Sequence, residues 1–132
     1  MYRGEAAGMS GSEMDWRERI VEDQRPWGRF RRYSLNEVST VKIITVLPGQ
    51  SLSEQRHQRR QELWVVLDDG IEVRVGDTAT VADKGDEFFI PAGETHRLSC
   101  VGDAPARILE VAFGEFDESD IERLSDDYGR VD

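Results

Sequence analysis

His57 and His96 are the only histidines in the chain, and each stands beside a turn where a β-patterned run begins or ends. His57 lies in Gln55-Arg56-His57-Gln58-Arg59-Arg60-Gln61-Glu62, and His96 follows Pro91-Ala92-Gly93-Glu94-Thr95. Gln55 and His57 are separated by one residue, so in a strand they point to one face. Glu62 begins the next apolar run. Two imidazoles, a carboxylate and an amide oxygen suit a divalent metal such as zinc, manganese, iron, cobalt or nickel. The same spacing fits two surface histidines and a solvated glutamate, and spacing alone leaves both readings open.

Such a donor set needs a scaffold that joins residues 55 and 96. Val41 to Leu47 is β-branched and stops at Pro48-Gly49. Leu63 to Leu67 reads as a buried strand. Asp69-Gly70 then signals a hairpin into Ile71 to Val75, whose apolar and charged residues alternate. Gly76-Asp77, Lys84-Gly85-Asp86 and Pro91-Ala92-Gly93 punctuate further short strands, and Ala106 to Phe113 is the last. Ser119-Asp120-Ile121-Glu122 fits a capping box and predicts a short C-terminal helix. Closely spaced strands with regular turns predict a small antiparallel barrel or jelly roll, a fold able to enclose a ligand.

Residues 1–24 are expected to form a flexible tail with a short helix near Asp15 to Val21, and residues 25–132 the folded domain. Trp27 and Pro26 are expected to pack the first strand on the barrel, Trp64 to lie in the core and Cys100 to be an unreactive buried thiol. A formal net charge of −10 argues against nucleic acid and anionic membrane surfaces as partners. A single cysteine, no apolar run long enough to span a bilayer and no apolar core in Met1-Tyr2-Arg3-Gly4-Glu5 point to a cytoplasmic protein.

The segment Gly49 to His57 followed by Glu62 resembles the first cupin motif. Gly85-Asp86-Glu87-Phe88-Phe89-Ile90-Pro91-Ala92-Gly93-Glu94-Thr95-His96 resembles the second. With Arg25-Pro26-Trp27-Gly28, Arg60, Trp64, Glu110-Val111 and Tyr128-Gly129-Arg130, the chain from Arg25 to Arg130 is similar to the type II phosphomannose isomerase domain. That resemblance implies a cupin (double-stranded β-helix) barrel and the metal set Gln55, His57, Glu62 and His96. It also implies a sugar-phosphate substrate, mannose 6-phosphate interconverting with fructose 6-phosphate, and a homodimer through edge strands. Arg60 becomes a candidate substrate-contacting cation. Lys42 becomes a candidate base or phosphate contact, with an ion pair to Glu110 as the plainer alternative.

The family pattern Gln-x-His-x-His-Arg-x-Glu-His-Trp is not complete here. Arg59 and Leu63 replace two of its histidines, and Ala112-Phe113 replaces a polar pair. Three functions remain open at this level: a metal-dependent isomerase, a sugar- or metabolite-binding cupin without chemistry, and another metal-dependent cupin enzyme such as an iron oxygenase.

Overall fold

A computed structural model of the chain describes residues 15–114 and 116–129. The tail expected through Glu13, and Arg130 of the terminal motif, lie outside these residues. Among the described residues eleven strands follow one 3-10 turn at Trp16–Arg19, which bears out the all-β expectation. No helix among the described residues is long and apolar enough to cross a membrane.

β1 (Val21–Arg25) and β2 (Gly28–Arg32) form a hairpin of their own. β3 (Ser39–Val46), β5 (Gln61–Val66), β8 (Glu87–Ile90) and β10 (Ala106–Phe113) make one antiparallel sheet in the order β3-β10-β5-β8. β4 (Glu54–Arg56), β6 (Ile71–Val75), β7 (Thr78–Ala82), β9 (His96–Cys100) and β11 (Glu122–Ser125) make the facing sheet, ordered β11-β4-β9-β6-β7. Strand order jumps between the sheets because successive strands cross from one to the other, as in a jelly roll.

Alternation sorts each strand into an inner and an outer face. The main core lies between the sheets: Trp64, Val66, Ile71, Val73, Phe88, Ile90, Leu98, Cys100 and Ile108 pack together there. A second cluster covers the back of the first sheet. Leu63, Phe89, Val111 and Phe113 are buried there under Trp16, Ile20 and Tyr33. The Trp16 ring stacks on Phe113 at 5.6 Å, and the Trp16 amide donates to Gln61 Oε1 at 3.1 Å. The boundary expected at residue 25 therefore falls inside the β1–β2 hairpin, and folded structure extends back to Asp15.

Three local expectations are corrected. Asp69-Gly70 does not join a hairpin, since β5 and β6 belong to different sheets. Gly70, at φ +92°, instead turns the chain across the sandwich and lies 3.3 Å from the Gly102 backbone at the point where a Cβ would project, so the glycine answers a crossing, not a tight loop. Trp27 sits at the tip of the β1–β2 hairpin, 74% exposed, and packs on nothing central. No C-terminal helix forms among the described residues. Glu122–Ser125 is a strand that pairs with β4, and Ser119 donates its hydroxyl to Asp117 (2.7 Å) instead of capping a helix. Two turns' worth of polar sequence offers little helical stability, whereas the open edge of β4 offers backbone partners.

Candidate metal centre

The inner face changes character along the strands. Apolar side chains fill one end, and polar ones gather at the other. In the first sheet Glu62 stands opposite Ala112 and Ile90, and Trp64 opposite Glu110 and Phe88. In the second, Gln55 stands directly opposite His96. His57 leaves the end of β4, and its carbonyl accepts the Gly93 amide at 2.7 Å. That bond ties the two histidine-bearing segments together.

His57, Glu62 and His96 are buried, with donor atoms all within 4.8 Å of one another. His57 Nε2 lies 3.5 Å from Glu62 Oε2, and His96 Nε2 lies 3.7 Å from Glu62 Oε1. Donors on one ion at bond lengths near 2.1 Å stand roughly 3 to 3.5 Å apart, so a small closure would seat a cation. The tautomers agree with that reading. His57 Nδ1 meets the Asp120 carbonyl at 2.6 Å, and His96 Nδ1 meets the Glu94 carbonyl at 3.0 Å. A carbonyl only accepts, so both Nδ1 atoms carry the proton and both Nε2 lone pairs face Glu62. His96 Nε2 is buried with no hydrogen-bond partner among the described residues, an arrangement that costs free energy unless something binds there.

Gln55 shares the inner face with His96 by register, and its Oε1 accepts from Ser53 Oγ at 3.2 Å. Glu62 also accepts from Trp64 Nε1 at 3.2 Å, and the same indole nitrogen lies 3.2 Å from Glu110 Oε2. Trp64 is thus core, as expected, and also orients a candidate ligand.

The two candidate cations fall differently. Arg60 is buried, not solvated. Its Nε donates to Glu62 Oε2 (2.9 Å), its Nη2 reaches His57 Nε2 (3.0 Å), and its guanidinium lies over the Phe116 ring at 4.2 Å. Lys42 pairs with Glu110 at 3.6 Å, as the plainer reading held, with its ammonium 5.0 Å from the Phe116 centroid. Sequence reasoning missed Asp120 and Phe116, and gave Glu110 no role beyond a partner for Lys42. Asp120 also accepts the Gln58 and Arg59 amides, each at 2.9 Å. Glu110 carries a signal, an acid among the otherwise apolar inward positions Ala106, Ile108 and Ala112 of its strand.

Two of the departures from the family pattern lie off this face. Leu63 is buried in the rear cluster, and Arg59 is an exposed side chain paired with Asp117 at 2.9 Å. Phe113 also faces the rear, under Trp16. Ala112 is different, because it sits opposite Glu62 on the inner face.

Burial, and next the neighbouring His57, press the His96 imidazolium down to about 4 from 6.5. The unfolded chain takes up that proton near 6.5 and the folded chain only near 4, so between those values the unfolded state holds more protons. In chelated protein, stability should therefore fall as pH drops from 6.5 toward 4, by up to about 3 kcal/mol from this group. Glu110 works in the other sense: burial, then the Glu62 charge, raise its carboxyl above 4.5, so its contribution falls as pH rises through that window. Urea unfolding of wild type and His96→Gln, both in chelator, separates the two. The acid-induced loss should shrink in the variant, and equal pH slopes would refute the assignment.

The sequence profile of the family described as mannose-6-phosphate isomerase C-terminal matches residues 12–126. Over 121 residues the chain is 38% identical to the xanthan biosynthesis protein XanB of Xanthomonas campestris pv. campestris, covering 91% of this chain and 25% of that protein. It is 38% identical over 111 residues to the mannose-1-phosphate guanylyltransferase ManC of Salmonella typhimurium, covering 83% of this chain and 23% of that one. The chain thus spans about a quarter of the length of these curated relatives. Among solved structures, the capsular polysaccharide assembling protein CapF of Staphylococcus aureus superposes with a TM-score of 0.62 at 18% identity, covering 80% of this chain and 34% of that one. At that identity the likeness concerns the fold, which is cupin-like.

Proposed function

The chain belongs to the mannose-6-phosphate isomerase C-terminal family, and from that premise we propose that it interconverts mannose 6-phosphate and fructose 6-phosphate with a divalent metal held by Gln55, His57, Glu62 and His96. The observation that carries the reading is the buried, unpartnered His96 Nε2 turned toward Glu62 beside a second imidazole of matching tautomer. Mixed nitrogen and oxygen donors fit zinc, manganese, iron, cobalt or nickel. When bound, the ion would act as a Lewis acid toward the oxygens of the reacting carbons.

The chain's own residues supply the rest. The reaction moves a proton between adjacent carbons, so a group able to accept and return it must face the cavity. Lys42 and Glu110 are paired on the inner face, one indole from Glu62. Burial favours the neutral form of Glu110, which suits a carboxyl that shuttles a proton. Arg60 occupies the only lone pair of His57 Nε2, so once His57 served as a ligand the guanidinium would be released to contact the substrate. The rear cluster and the apolar end of the barrel keep water from the far side of the site.

Protein loaded with each candidate metal and given mannose 6-phosphate should form fructose 6-phosphate, and chelation should stop it. Bound metal without turnover for every ion would overturn the reading. Ala112, opposite Glu62 where the family carries a polar side chain, favours one alternative, a cavity that binds sugar phosphate without converting it. That alternative gives ligand-induced thermal stabilisation and no product.

A further inference from the structure

We propose that Arg123 forms an anion subsite in this cavity and takes the phosphate of a sugar phosphate whose other end lies at His57, Glu62 and His96. The phosphate-binding role rests on the isomerase reading only for the identity of the sugar.

The register places it. Arg123 on β11 is the direct partner of Gln55 on β4, and Gln55 is the direct partner of His96 on β9. Directly opposed residues in antiparallel strands project to the same face, so Arg123, Gln55 and His96 form one cross-strand row on the inner side. The neighbours confirm the phase. Glu122, one residue earlier, pairs with Arg56 at 2.6 Å, and both are substantially exposed, on the outer side. Arg97 bonds the Leu52 carbonyl (2.9 Å) and Asp127 (2.9 Å), and Arg74 lies 3.8 Å from Glu54. Arg74 and Arg97 are register partners on that outer side too. Among the described residues, Arg123 is the one cation on the inner face of the second sheet.

Its position suits a phosphate. Two strand spacings separate it from His96, about 10 Å between backbones, a span that a phosphorylated six-carbon sugar can bridge. It is half-buried at the sheet edge, where a guanidinium can meet both the cavity and an incoming dianion. Arg60 and Lys42, the other inward cations, lie beside Glu62 and Glu110, next to the candidate metal ligands. They serve the reacting end. An arginine fork matches two phosphate oxygens at once, so the subsite would select phosphorylated over neutral sugars.

The test compares wild type, Arg123→Gln and Arg123→Lys as metal-loaded full chains. Metal content and circular dichroism of Arg123→Gln should match wild type. Its KM for mannose 6-phosphate should rise roughly 10- to 100-fold with kcat within a few-fold, and Arg123→Lys should fall between. An unchanged KM, or a fall in kcat alone, overturns the subsite while leaving the isomerase reading intact. Should Arg123→Gln fail to fold, Arg123→Lys decides: loss of the planar fork should raise KM several-fold, and an unchanged KM overturns the proposal. Should wild type show no turnover, the isomerase reading falls, and calorimetric titration with fructose 6-phosphate and with fructose decides the subsite. A preference for the phosphorylated sugar that weakens in Arg123→Gln or Arg123→Lys supports it, and equal binding of the two sugars by wild type overturns it.

Discussion

His96→Ala is expected to empty the metal site and to reduce mannose 6-phosphate turnover by more than roughly 100-fold. Loss of a group that merely orients a ligand costs about 10- to 100-fold in affinity or activity, and His96 is a candidate ligand itself. Its side chain is almost fully buried, with Nε2 3.7 Å from Glu62. Its ring stands 5.0 Å from the His57 ring and edge-on to Trp64 at 5.4 Å. Elemental analysis after dialysis reads metal retention, and a coupled assay reads turnover. Retention of stoichiometric metal by the variant would place the ion elsewhere. The same variant should lose the thermal stabilisation that added metal gives wild type, because binding to the folded state alone raises stability.

Glu62→Ala is expected to destabilise the chelated protein by about 3–5 kcal/mol, the cost of leaving a buried charge without its partner. Whole domains are stable by only about 5–15 kcal/mol, so the variant sits near unfolding. The physical cause is Arg60. Its guanidinium is buried against Glu62 Oε2 at 2.9 Å, and without that carboxylate its remaining close contacts among the described residues are His57 Nε2 and the Phe116 face. Adding Arg60→Met to Glu62→Ala removes the orphaned charge and should restore much of the loss. Chemical denaturation in the presence of chelator measures all three proteins. A double variant no more stable than Glu62→Ala would mean that the ion pair is not the source. Arg60→Met alone should bind metal more tightly than wild type, since nothing then competes for the His57 lone pair.

Much of the centre was legible in the chain. Gln55, His57, Glu62 and His96 stand out by spacing and resemblance, and the structure groups His57, Glu62 and His96 with Gln55 directly opposite His96. Local patterns sufficed because each motif carries its own turn: Gly93 has φ +83° and its amide bonds His57 directly. The misreadings came from long-range pairing. The Ser119 to Glu122 pattern suggests a helix when read alone, but β4, more than sixty residues earlier by the His57–Asp120 bond, offers an edge that wins. Asp69-Gly70 has hairpin chemistry, yet its flanking strands find partners in opposite sheets. Trp16 looked like part of a loose tail because Phe113, which it stacks on, is far away in sequence. Arg123 drew no notice for the same reason: its face is set by a register with Gln55, which no local pattern reveals.

The bond from His57 Nδ1 to the Asp120 carbonyl spans 63 positions, and this imposes an order on assembly. During synthesis, every candidate ligand leaves the ribosome before Asp120 does. A nascent chain ending short of Asp120 has the donor atoms but lacks the acceptor that keeps the His57 proton on Nδ1 and the carboxylate that binds the Gln58 and Arg59 amides. If the site takes a metal, its capture would thereby be delayed until the sandwich is nearly complete, and an incomplete chain would compete poorly for the ion.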